Sequence, residues 1–193
     1  MVHPRAPILV ERPQTGVWRI KNLLTPQECA LLIELAEEQG FETASVRTRS
    51  SQQLLPAIRN NERRVVEDPS WVNRLWERLT VLPLPVIHGC HAQGLPRAMR
   101  FYKYSPGQRF KMHKDGAWHE DGFDSKLTLL IYLNDEFTGG ATDFRGFMET
   151  PETGSALLFI HDTWHEGQMV SAGVKYALRS DVLYAPGELA FSL

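Results

Sequence analysis

His113 and Asp115, two residues apart, end the run Phe101-Tyr-Lys-Tyr-Ser-Pro-Gly-Gln-Arg-Phe-Lys-Met-His113-Lys-Asp115-Gly116. On an extended strand, residues i and i+2 point to the same side. An imidazole nitrogen and a carboxylate oxygen can therefore face one metal ion. A third ligand from a distant strand would complete one face of an octahedron. Two histidines and one carboxylate, with coordination positions left open beside them, form the facial triad of non-haem Fe(II) sites. A His-x-Asp pair alone is weak, because it also occurs in surface turns where the aspartate satisfies the histidine. Three further segments add to it.

The first is Leu158-Phe-Ile-His161-Asp-Thr-Trp164-His165-Glu-Gly167, an apolar strand and polar turn that place His165 at a strand entrance. His161 competes for the third-ligand role and is read as a structural or ligand-supporting residue. The second is Gly173-Val-Lys175-Tyr-Ala-Leu-Arg179-Ser-Asp181-Val-Leu-Tyr184, a strand of alternating character. A buried Lys175 is costly without an anionic partner, and an inward cation near a metal suits the far carboxylate of a dicarboxylic acid. A solvated lysine on an edge strand is the ordinary alternative. Arg179 competes as the anchor because arginine binds carboxylates bidentately. The two lie an even number of residues apart, so strand alternation does not separate them. The third is Leu127-Thr128-Leu-Leu-Ile-Tyr132-Leu-Asn134, a buried strand, followed by Gly139-Gly140-Ala-Thr142-Asp-Phe144, a tight turn into another.

The elements that must position these groups fall into two halves. Three prolines mark the first fourteen residues as an extended arm or edge strand, and Gly16 to Ile20 reads as a short strand. Thr25-Pro26-Gln27-Glu28 is a helix start, with a capping threonine, proline in the first turn and glutamate closing a capping box. Leu31, Leu32, Leu35 and Ala36 recur at helical spacing until Gly40 stops the helix. Residues 41–46 read as a strand and Arg47 to Arg64 as a polar loop beside the site. Asp68-Pro69 opens a second helix with Trp71, Leu75, Trp76 and Leu79 on one side, ended by Pro83 and Pro85. From about residue 97, short β-rich runs alternate with turn residues at 98–104, 109–113, 126–133, 141–144, 156–160, 168–170 and 174–184. Many short strands argue for a sandwich or barrel, and two preceding helices make the class α+β, with the helices buttressing one sheet.

Length and composition set the bounds. The 193 residues suit one domain, here 1–193, with helices and arm in 1–96 and the strand-rich core in 97–185. Hydrophobic residues at 42% can build a sizeable core, and a formal charge of −2 makes nucleic acid an unfavoured partner. Local basic patches stay possible, and Arg59 with Arg63 and Arg64 is one candidate. No apolar run approaches the roughly 20 residues of a membrane span, and no leader pattern opens the chain, so the expected location is cytoplasmic. Cys29 and Cys90 make no disulfide or metal-like spacing.

In this order, the segments RFYKYSPGQRFKMHKDG, LTLLIYLN, GGATDF, GSALLFIHDTWHEG and GVKYALRSDVLY resemble the prolyl 4-hydroxylase-like branch of the Fe(II)/2-oxoglutarate-dependent dioxygenases. The resemblance covers roughly residues 97–185, and Ile58-Arg59-Asn60-Asn61-Glu62-Arg63 is similar to that branch's upstream arm. It implies a double-stranded β-helix, a jelly-roll of two facing sheets with the metal in its mouth. It implies Fe(II) on His113, Asp115 and His165, with 2-oxoglutarate and O2 as co-substrates and ascorbate as reductant. The family's spacing of ten between the distal histidine and the lysine favours Lys175 over Arg179 as the 2-oxoglutarate anchor. Tyr132 would be a hydroxyl partner, with Thr128 nearby and Tyr104 facing the pocket. Related halogenases replace the carboxylate ligand by a small residue, so Asp115 points to hydroxylation.

The implied substrate is a prolyl residue in a peptide or protein, and a free amino acid or other small metabolite is the alternative. Thr142, Phe144, Trp118, His119 and Trp164 are candidates for the pocket wall or a lid. The polar segment Gly116 to Ser125 is a candidate for closure over substrate. Arg59, Asn61 and Arg179 are candidate substrate grips, and for Arg59 and Asn61 a structural role is weighed equally. The oligomeric state stays open.

Overall fold

A computed structural model describes residues 6–47, 52–53 and 55–185. From Phe110 onward the chain alternates between two sheets. Phe110–His113, Thr142–Asp143 and His165–Gly167 belong to a four-stranded sheet completed by Met148–Glu149. Phe123–Tyr132, Ala156–Ile160 and Lys175–Tyr184 belong to the larger sheet. This alternation is what a jelly-roll requires. The larger sheet continues on one side into Val17–Lys21 and Leu9–Gln14, and on the other into Ala98–Tyr104, Glu62–Glu67 and Glu42–Thr43, with each neighbouring pair antiparallel.

Each face of the larger sheet has its own role. Leu127, Leu129, Ile131, Leu158, Leu178 and Val182 join one buried cluster with Leu32 and Ala36 of the first helix and Leu75 and Leu79 of the second. The opposite face carries Thr128, Lys175, Ala177 and Arg179 into a cleft between the sheets. Phe144 on the smaller-sheet side packs edge-on against Phe159 with centroids 5.3 Å apart, which holds the two layers together.

Local signals account for the helices. Pro26–Gln39 begins with a complete capping box: Thr25 Oγ1 accepts from the Glu28 amide and Glu28 Oε2 from the Thr25 amide. The Glu28 carboxylate also takes two hydrogen bonds from Arg78, so one cap ties the two helices together. Leu31, expected on the apolar stripe, is exposed, and Cys29, Leu32 and Ala36 form the buried face. Pro69–Thr80 is capped by Asp68 and buries Trp71, Val72, Leu75 and Leu79. It stops at Thr80, before the prolines expected to end it.

The polar stretch read as a loop from Arg47 to Arg64 differs. Residues 48–51 and 54 lie outside the described residues, but Glu62–Glu67 is a strand in full register with Ala98–Tyr104. Its sequence Glu-Arg-Arg-Val-Val-Glu shows no apolar alternation because it lies near the sheet's edge, mostly in contact with solvent. Of the candidate basic patch, Arg59 is buried, Arg63 faces Glu42 and Arg64 bonds to Gln39. No described helix is long and apolar enough to cross a membrane.

Candidate active site

Strand register brings the three expected ligands together. His113 and His165 are direct cross-strand partners in the smaller sheet, with ring centroids 4.2 Å apart. Asp115 follows two residues after His113, and its amide is held by the His161 carbonyl at 3.1 Å. His113 Nε2 lies 3.7 Å from Asp115 Oδ1, and His165 Nε2 lies 3.6 Å from Asp115 Oδ2. One ligand atom from each of the three falls within 4.8 Å of the others.

The donors have the chemistry a divalent metal needs. His113 Nδ1 pairs with the Lys111 carbonyl at 2.7 Å, and His165 Nδ1 with the Thr163 carbonyl at 3.0 Å. Carbonyls only accept, so both Nδ1 atoms carry the proton and both Nε2 lone pairs face inward. Burial, reinforced by His165, lowers the His113 value to about 3, and burial also lowers that of His165, so both rings stay neutral. Burial opposes charge on Asp115, but Arg179 and the two imidazoles outweigh it and hold the carboxyl well below the usual carboxylate range. Two neutral imidazoles and one carboxylate fit Fe(II).

Lys175 and Arg179 share the inward face of one strand but have different partners. Arg179 Nη1 forms an ion pair with Asp115 Oδ1 at 2.7 Å, and Nη2 donates to Asp181 Oδ1 at 3.2 Å. Burial works against the guanidinium's charge, and Asp115 and Asp181 keep it protonated. Lys175, only 3% exposed, donates to the Gly140 carbonyl at 2.6 Å and forms no ion pair with a carboxylate among the described residues. Burial pushes its value down to about 7. The ammonium lies 5.5 Å from the Tyr104 ring and 5.3 Å from the Tyr132 ring. Tyr132 is paired through its hydroxyl with Thr142 at 2.7 Å.

The other expected residues scatter more widely. Tyr104, Thr128 and Thr142 line the cleft. The Thr128 hydroxyl donates to Asp115 Oδ2 at 2.6 Å. Arg59 is sandwiched between the Tyr102 and Phe110 rings, 4.5 Å from each centroid, with Nε on Asn61 Oδ1. Asn61 in turn donates to the Glu62 carbonyl, so both residues are tied into the framework. Phe144 is buried against Phe159 and Phe147. Trp164 is 41% exposed, with Lys114 and Arg145 over its ring. Trp118 is 37% exposed and bonds to Glu120, while His119 bonds to Asp124. Most of the segment read as a closing loop is a hairpin: His119–Glu120 pairs with Phe123–Asp124 around a turn at Asp121 and Gly122.

Sequence reasoning missed several wall residues. Tyr102, Leu130 and Ala177 line the cleft and stand two residues from Tyr104, Thr128 and Lys175, so strand alternation could have found them. Phe110 stacks on His113 at 3.5 Å, a contact that no spacing announces.

Residues 99–180 match the model of the 2OG-Fe(II) oxygenase superfamily. A protein of Acanthamoeba polyphaga mimivirus named "Putative prolyl 4-hydroxylase" is 23% identical, over 86% of this chain and 74% of its own length. The viral collagen prolyl hydroxylase of Paramecium bursaria Chlorella virus-1, solved with 2OG, superposes with a TM-score of 0.66 at 22% identity, covering 89% of this chain and 97% of that one. A Pseudomonas putida prolyl-4-hydroxylase gives 0.66 at 16% identity, covering 87% and 92%. The fold is therefore the jelly-roll that the strand order suggested.

Proposed function

Through residues 99–180 this chain belongs to the 2OG-Fe(II) oxygenase superfamily, and on that premise we propose that it hydroxylates a prolyl residue of a peptide or protein. The superfamily's cofactors are Fe(II), 2-oxoglutarate and O2. The carrying observation is that the cluster His113, Asp115 and His165 opens on the same cleft as the buried ammonium of Lys175. We read residues 1–193 as one catalytic domain acting in the cytoplasm, with ascorbate as the reductant that restores inactive iron.

His113, Asp115 and His165 would hold Fe(II), which with 2-oxoglutarate and O2 supplies an oxidant for an unactivated C–H bond. Lys175 would pair with the far carboxylate of 2-oxoglutarate, an anion that offsets the cost of its burial. The charge of Arg179 is already paired with Asp115 and Asp181, whereas Lys175 meets a backbone carbonyl. Tyr132 and Thr142 hold each other beside the ammonium and offer hydroxyls to the same carboxylate. Tyr104 would contribute its ring to that pocket. Tyr102, Tyr104 and Phe110 give the cleft an aromatic lining beside His113. Aromatic-lined grooves receive proline rings well, and one sequence relative and two structural neighbours carry prolyl hydroxylase names. Arg59 stiffens this wall from behind rather than gripping substrate.

The test is turnover on proline-containing peptides against free amino acids, with and without added Fe(II) and 2-oxoglutarate. A peptide mass gain of about one oxygen atom, together with equimolar succinate, supports the reading. Modification of free amino acids alone would shift the substrate class to small metabolites.

A further inference from the structure

Asp115 has both oxygens held by the protein. Thr128 Oγ1 lies 2.6 Å from Asp115 Oδ2 and 3.0 Å from His161 Nδ1. His161 Nε2 lies 2.7 Å from Ser125 Oγ, which also accepts from the Trp118 amide at 2.7 Å. Donor chemistry fixes the direction of this chain. A carboxylate only accepts, so the single Thr128 hydroxyl proton is committed to Asp115. Thr128 can then only accept from His161, whose Nδ1 must carry a proton. The Nε2 of the neutral ring in turn receives the Ser125 hydroxyl. Ser125, Thr128 and His161 are all buried, so water does not readily take over these bonds. On the other oxygen, Arg179 forms an ion pair with Asp115 and another with Asp181, and Asp181 is paired in turn with Arg100.

The arrangement depends on a backbone irregularity. Ser125 and Thr128 are three residues apart and would face opposite sides of a regular strand. A register shift between Ser125 and Leu127, opposite Leu183 and Val182, adds one residue and turns both hydroxyls toward His161. Bulges commonly re-aim side chains in this way near functional sites.

We propose that Ser125, His161 and Thr128 form a one-way hydrogen-bond relay that orients Asp115 as a metal ligand, which makes His161 a positioning residue rather than a ligand. This rests on the reading of His113, Asp115 and His165 as the metal site. Both His161 nitrogens are already engaged, so the ring has no lone pair to offer a metal. With the relay intact and Arg179 opposite, the carboxylate plane is set before metal arrives.

The test titrates metal-free full-length protein with Co(II), followed by its visible absorption. Thr128→Val and His161→Ala should each weaken Co(II) binding about tenfold to a hundredfold, the usual cost of losing a partner behind a ligand. His161→Asn, whose amide N–H can replace Nδ1–H, should recover most of the affinity. Nitrogen-15 NMR of the unsubstituted metal-free protein should show His161 protonated on Nδ1 and bare on Nε2, a readout that survives if a variant fails to fold. Co(II) affinity within twofold of wild type in both Thr128→Val and His161→Ala overturns the relay, as does a His161 ring bare on Nδ1. His113→Ala separates the two levels. If it binds Co(II) as tightly as wild type, the metal-site reading falls and takes the relay with it. If it loses binding while the other two variants keep it, only the relay falls.

Discussion

Lys175 and Arg179 stand four residues apart on one face of one strand, yet Arg179 meets two carboxylates, while Lys175 donates to the backbone carbonyl of Gly140. On the proposed function, that difference separates the two cations: Arg179 pairs with the proposed ligand Asp115, and Lys175 is the proposed anchor for 2-oxoglutarate.

Lys175→Ala is expected to weaken 2-oxoglutarate binding about tenfold to a hundredfold, the worth of one charge-assisted hydrogen bond. The turnover rate at saturating co-substrate should change much less. Arg179→Ala should instead weaken metal binding and leave the co-substrate's dependence on Lys175 in place. Steady-state kinetics with varied 2-oxoglutarate and a parallel metal titration separate the two. A sharp rise in KM for 2-oxoglutarate with Arg179→Ala but not Lys175→Ala would reverse the assignment.

The Lys175 value of about 7 makes co-substrate binding depend on pH. Burial lowers it in the free protein, and a bound carboxylate raises it. Below about pH 7 the lysine is charged in both states and affinity is flat. Above that, binding must take up a proton, so affinity falls by up to about tenfold per pH unit. The neighbouring Tyr104 and Tyr132 hydroxyls are pushed upward by burial and stay neutral across this range. Calorimetry at pH 8 in buffers of different ionisation enthalpy should show proton uptake on binding, and Lys175→Arg should remove it. The same lysine affects folding in the opposite sense. Between pH 7 and 10.5 the unfolded chain holds the extra proton, so this group's burial penalty eases as pH rises.

Gly140→Ala is expected to impair co-substrate binding without touching any ligand. Gly140 has φ +65°, where an added Cβ is strained. That Cβ would lie 2.8 Å from the Phe137 ring and 3.2 Å from Lys175 Cδ, displacing the lysine from its seat. The check is KM for 2-oxoglutarate alongside a thermal melt, with the KM rise exceeding anything the melt explains.

Asp115→Ala should abolish metal binding and also destabilise the fold by about 3 kcal/mol, because it leaves the buried Arg179 with Asp181 as its remaining carboxylate partner. Denaturant unfolding of the metal-free variant measures this. The His113→Ala variant, which strands no charge, should lose metal with a smaller stability cost.

Much of this was legible in the sequence, and the gaps have physical causes. The His113–Asp115 pair and the Thr25 capping box are short-range patterns, and both appear as read. The place of His165 depended on the order of strands, and the register with His113 provides it. Lys175 and Arg179 could not be separated by alternation, because what distinguishes them is the position of Asp115 and Asp181 in space. Ser125 gave no signal, since its direction depends on a bulge that leaves no mark in the residue types. Trp164 read as a wall residue from its chemistry and neighbourhood, but a bulky aromatic next to His165 in the chain carries no directional information, and its ring is met by Lys114 and Arg145.

The most direct measurement is anomalous diffraction at the iron edge from crystals grown without oxygen and soaked with Fe(II) and 2-oxoglutarate. A single iron peak bonded by His113 Nε2, His165 Nε2 and one Asp115 oxygen, with the far carboxylate of 2-oxoglutarate on Lys175, is the result expected. Iron bound elsewhere, or that carboxylate lying on Arg179 with Lys175 still on Gly140, would contradict it.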